Sequence, residues 1–64
     1  MEINNLLDMD SGIVFGIVNE RLRLECKDLD ELVSRYNLDE MVLVEKMALI
    51  GYEYDPISNQ FKAS

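Results

Sequence analysis

Apolar residues along this chain recur first at helical spacing and then, past residue 51, at every second position. Val14, Val18 and Leu22 form one stripe, extended by Phe15 and Cys26, and Ile13, Ile17 and Leu24 form a second. Asp10 and Ser11 in front of them are both good N-cap residues, so a first helix is expected to begin about there and run to Cys26. Gly16 inside that helix costs about 1 kcal/mol relative to alanine, and close approach of another backbone is the expected compensation. Residues 1–10 lack a clean period and read as an N-terminal arm or short helical turn, with Leu6, Leu7 and Met9 available for packing.

Asp28, followed three residues later by Glu31, has capping-box spacing and predicts a second helix with Leu29, Leu32, Val33 and Tyr36 on one face. Asn37 suits a left-handed stop. Asp39 is then the next N-cap, with Leu38 and Leu43 at the positions of a hydrophobic staple, and a third helix is predicted to reach Ile50 before Gly51 ends it. Beyond it, Tyr52 and Tyr54 alternate with Glu53, residues 55–59 (Asp-Pro-Ile-Ser-Asn) have turn chemistry, and Gln60, Phe61 and Lys62 extend again. This is a short β-hairpin. Two strands alone are marginal in water, so the aromatic residues should fasten it to the helices, with Asn59 closing the turn and Ala63 and Ser64 fraying.

The fold class expected is therefore mainly α with a β-hairpin (α+β): three helices with a helix-turn-helix-like core, winged-helix-like in order, in one small domain. Its parts are an arm over residues 1–10, helices over 11–50 and the hairpin over 51–62. A chain of 64 residues buries only about 60% of its unfolded surface. A deep substrate cavity is not expected.

Thirteen acidic against six basic residues give a net charge of −7, which repels phosphate and anionic membrane surfaces. The one basic group, Arg21, Arg23 and Lys27, is interleaved with Glu20, Glu25, Asp28, Asp30 and Glu31. Uninterrupted apolar runs such as that from Met41 to Val44 fall far short of the roughly 20 residues a membrane helix needs. Cys26 has no partner for an intrachain disulfide, and the opening residues lack a basic stretch followed by an apolar one, so a cytoplasmic protein is expected. Cys26 itself reads as a half-buried structural thiol, since Glu25 and Asp28 oppose Lys27 beside it.

Candidate chemistry is sparse. The absence of histidine removes the commonest general base and metal ligand, and one cysteine cannot build a zinc site, so no enzyme activity, metal or cofactor is expected. Residues 8–12 (Asp-Met-Asp-Ser-Gly) start like a calcium loop, but Ile13 and Asn19 stand where an EF-hand needs glycine and glutamate. Helices two and three have the lengths of a DNA-binding helix-turn-helix, yet the third begins Asp39, Glu40, Met41, placing carboxylates against phosphate. A winged-helix DNA-binding regulator is thus the second reading.

The first reading is a non-enzymatic protein-interaction module that self-associates. Its basis is the third helix, where Leu43, Met47 and Ile50 cover one side while Met41, Val44 and Ala48 cover nearly the opposite one, with Val42 and Leu49 between. A helix apolar almost all round is hard to enclose in so small a domain. Either the N-terminal arm folds over its outer side, or a partner protein does, most simply a second copy in a homodimer.

The segments Val18-Asn19-Glu20-Arg21-Leu22-Arg23, Leu29-Asp30-Glu31-Leu32 and Gly51-Tyr52-Glu53-Tyr54-Asp55, with Asn59-Gln60-Phe61 after them, resemble a group of short bacterial proteins classed only as a domain of unknown function. The resemblance covers about residues 13–62 and implies a small cytoplasmic protein with no assigned activity or catalytic residue. It directs attention to Asn19 and Arg23, four apart on one helix face. They could recognise a partner's carboxylate or backbone; alternatively, Asn19 bonds a buried backbone group while Arg23 pairs with Glu20 or Asp28.

Overall fold

The computed structural model describes residues 6–64. A single 3-10 turn (Leu6–Asp8) precedes three helices, α1 (Ser11–Leu24), α2 (Leu29–Arg35) and α3 (Glu40–Leu49), and an antiparallel hairpin of β1 (Tyr52–Asp55) and β2 (Gln60–Ala63) follows. Each helix start is held by the aspartate before it. Asp10 accepts from the Gly12 amide, Asp28 from Glu31, and Asp39 from both Met41 and Val42. The return arm of the box at α2 is displaced by one residue: Glu31 accepts from the Lys27 amide at 2.6 Å.

The helix ends are equally explicit. Asn37 takes φ 53° after α2, and the amides of Asn37 and Leu38 reach back to the carbonyls of Ser34 and Val33, a Schellman arrangement. Gly51, at φ 88°, closes α3 by donating to Ala48. In the hairpin Tyr54 faces Phe61 and Asp55 faces Gln60.

Helix α1 is the centre of the packing, touching α2, α3 and β2, while α3 also meets β1 and the N-terminal turn. Val14, Val18 and Leu22 of α1 are buried with Leu6, Cys26, Leu29, Leu32, Leu43, Met47 and Phe61. Phe15 stacks on Tyr52 with ring centroids 4.2 Å apart, and Tyr54 tilts against Phe61 at 5.6 Å. The aromatic residues thus fasten the hairpin as their spacing predicts.

Several expectations require correction. Cys26 is fully buried, not half-buried, because the chain turns inward between α1 and α2. Of the second α1 stripe only Ile17 reaches the core; Ile13 and Leu24 are exposed. The C-terminus does not fray at once: Ala63 pairs with Tyr52, and the Ser64 amide donates to the Gly51 carbonyl. The Leu6–Asp8 turn does fold back against α3, burying Leu6, but it leaves the outer side of that helix uncovered. Residues 1–5 of the expected arm lie outside the described residues.

Gly16 is the clearest departure. No backbone approaches it, and a methyl group there would meet nothing within 4 Å. Its helical flexibility is therefore an uncompensated cost, and Gly16→Ala should raise the unfolding free energy by about 0.5–1 kcal/mol. Thermal and urea denaturation measure this directly; unchanged or reduced stability would show that the open space is needed in the folded chain.

Candidate functional site

Helix α3 is held on one side by its own apolar residues and left bare on the other. Leu43 and Met47 are fully buried, and the N-terminal turn and β1 pack against the helix. On the outer side Met41 is 81% exposed and Leu49 80%, with Val42, Val44 and Ala48 also exposed. Met41 and Val44 join Glu40 and Glu45 in lining an open groove of about 330 Å³. Ala48 lies one turn further on. Such an arrangement offers a shallow apolar seat bordered by carboxylates.

The other two candidates lie on α1 and are not part of this surface. Asn19 turns toward the hairpin. Its carboxamide donates to the Phe61 carbonyl at 3.0 Å and accepts from the Phe61 amide at 2.7 Å, so it pairs with the outer edge of β2 as a neighbouring strand would. Gln60 adds a bond from its side-chain amide to the Asn19 carbonyl. Of the two readings offered for Asn19, the geometry favours the structural one. Arg23 is exposed, and neither Glu20 nor Asp28 forms an ion pair with it; Glu20 approaches Arg21 instead.

Asn59 does more than close the turn. It adopts φ 57°, and its side-chain nitrogen donates to the carbonyls of Leu22 (3.0 Å) and Cys26 (2.9 Å), while its oxygen accepts from the Tyr54 hydroxyl at 2.7 Å. A helix leaves its last carbonyls without partners. Asn59 supplies one for α1 from 37 residues away in sequence. The only local hint of these roles was a run of carboxamides, Asn59 and Gln60, beside a turn.

A second polar cluster joins α1 to α2. Arg21 and Arg35 both pair with Glu25, at 3.6 and 3.5 Å; Arg35 also approaches Glu31, and the Tyr36 hydroxyl donates to Glu25. That hydroxyl bond, aided by the two guanidinium groups, holds the Glu25 carboxyl below its usual range; the same bond, together with burial and against the pull of Arg21, raises Tyr36 above the ordinary phenol value. Burial pushes the Cys26 thiol up, away from the reactive thiolate. These charges pair with one another across the junction of α1 and α2. Among the described residues no group of three or more potential ligands could hold a metal ion, and no helix is long and apolar enough to cross a membrane.

Two measurements test these assignments. Glycine satisfies a left-handed turn position with less strain than asparagine, so Asn59→Gly should be neutral or stabilising if turn closure were the whole role. We expect it to destabilise by about 1–3 kcal/mol in urea denaturation, because the Leu22 and Cys26 carbonyls and the Tyr54 hydroxyl lose their partner. For the cluster, Tyr36→Phe should raise the Glu25 carboxyl toward its ordinary range in an NMR titration. A carboxylate with a lowered folded-state pKa contributes stability above its unfolded value and loses it as pH falls through the folded one. The variant should therefore lose less stability than the parent on acidification.

A family model described as "Domain of unknown function (DUF4250)" matches residues 8–61, from the end of the N-terminal turn through the middle of β2. Comparison with curated proteins and with solved structures finds no match. With three capped helices, a latched hairpin and nearly the whole chain inside the match, this protein belongs to the DUF4250 family of domains of unknown function.

Proposed function

We propose that this chain is a cytoplasmic, non-enzymatic protein-interaction module that docks its partner on the outer face of α3. One observation carries the reading: Met41 and Leu49 remain about four-fifths exposed on a helix whose inner residues, Leu43 and Met47, already complete the core. Scattered apolar residues on a surface need no explanation, but here five exposed ones gather on the outer side of one ten-residue helix, Met41, Val44 and Ala48 to one side of Glu45 and Val42 and Leu49 to the other. Methionine suits such a surface because its flexible thioether adapts to the shape presented to it.

DNA binding is the weaker reading. In a helix-turn-helix the N-terminal residues of the recognition helix meet phosphate and base edges; here Asp39 and Glu40 occupy them. The lone buried thiol and the acidic balance fit a cytoplasmic setting.

A photo-crosslinking side chain introduced at position 41 in cells of the native host tests the proposal, with position 23 on α1 as control. A discrete adduct is expected at position 41 and none at 23. An adduct of about twice the chain's 7.4 kDa would identify a second copy as the occupant. No adduct at position 41, or equal capture at both positions, would overturn the assignment of the face. A DNA titration at physiological salt should show no saturable binding.

A further inference from the structure

The outer face of α3 also carries information about the charge of what it receives. Met41, Val44 and Ala48 are spaced i, i+3, i+7, the pattern of a heptad seam, and at 100° per residue they fall within about 60° of arc. Glu40 borders that seam on one side and Glu45 on the other, and both line the groove with Met41 and Val44. The helix's one cation, Lys46, projects beyond Val42 and does not border the seam.

Elsewhere on the chain Arg21, Arg35 and Lys62 are engaged by Glu25, Glu31 and Asp55, and the two remaining exposed cations, Arg23 and Lys27, belong to α1 and the turn after it, not to α3. A second copy docked by two-fold symmetry along this seam would bring Glu40 and Glu45 of both chains together, four carboxylates with no cation among them. It would also join two bodies that each carry −7. Like charges facing each other across an interface disfavour the pairing.

From this charge pattern we infer that the occupant is an amphipathic helical segment of another protein, with apolar residues at i, i+3 or i+4, and i+7 and with lysine or arginine on both flanks. Its apolar side chains lie along Met41, Val44 and Ala48. Its basic side chains lay their aliphatic stems on Met41 and Val44 and set their charged ends beside Glu40 and Glu45. The seam from Met41 to Ala48 spans two helical turns, about 11 Å, and makes a small contact. It therefore belongs to the transient class of interface, assisted by electrostatic steering toward an acidic protein.

This inference rests on the docking reading above, and the experiment separates the two. Two fluorescent model peptides share one apolar heptad pattern and differ only in flanking residues, lysine in one and glutamate in the other. Binding is read by anisotropy and mapped by amide chemical shifts on the full chain. The parent should bind the lysine peptide about tenfold more tightly at low salt, a preference that shrinks at about 1 M salt as screening shortens to ~3 Å. Shifts should concentrate on α3.

Glu40→Lys with Glu45→Lys should invert the preference, Asp30→Lys with Glu53→Lys should leave it in place, and Val44→Gln should weaken the lysine peptide by about threefold or more. Circular dichroism verifies that these exposed substitutions leave the fold intact. Equal affinity for both peptides, or equal loss in the control pair, overturns the basic partner. A Val44-sensitive dimer in light scattering overturns it too, while the docking face itself stands. Shifts away from α3, with no crosslink at position 41, overturn both.

Discussion

The structure depends on a pair of carboxamides that join the hairpin to α1. A two-stranded hairpin is marginal in water by itself, and the last turn of a helix is left with unpartnered carbonyls. Asn19 and Asn59 resolve both problems at once. Asn19 occupies the amide and carbonyl of Phe61 on the outer edge of β2, and Asn59 covers the carbonyls of Leu22 and Cys26 at the end of α1. Between these two bonded ends Phe61 is pressed into the core, 2% exposed. Burial of the ring and satisfaction of its backbone are the same event, since a buried strand edge without partners costs more than the ring's burial alone would return.

The consequence reaches α3 through the sheet. With β2 fixed to α1, β1 is fixed by its ladder, and its Tyr52 stacks on Phe15 of α1 while the strand packs along α3. Helix α3 is thereby held from the sheet side by β1 and from the N-terminal side by the turn containing Leu6. Its inner side is anchored by Leu43 and Met47, both fully buried, while Met41 is 81% exposed. Among the described residues Met41 keeps most of its side chain clear of the chain's own packing, while Val44 is part covered.

Local features were legible in the sequence because they are decided within a few residues. The N-caps at Asp10, Asp28 and Asp39, the left-handed Asn37, and Gly51 at the end of α3 all follow from side-chain reach and backbone sterics, and each stands where spacing placed it. The outer stripe of α3 was legible for the same reason. The latch was only half legible: Asn59 reads as a turn residue, but its bonds span 33 and 37 residues, and no periodicity encodes a partner at that distance. The role of Gly16 failed differently. An internal helical glycine implies a close neighbour only when something competes for the space, and here nothing does.

Size explains why one helix ends up with two apolar faces. A chain of 64 residues encloses a single layer of side chains, and among the described residues the buried ones, drawn from the N-terminal turn, all three helices, the α1–α2 connection and β2, meet in one cluster. Among the described residues no element covers the outer side of α3 as well, and the N-terminal turn reaches only far enough to bury Leu6. If those outer positions served stability, polar residues of high helix propensity would serve it equally well without exposing an apolar patch. Their place beside two carboxylates, on a helix already anchored from within, is the feature on which the proposed docking role rests.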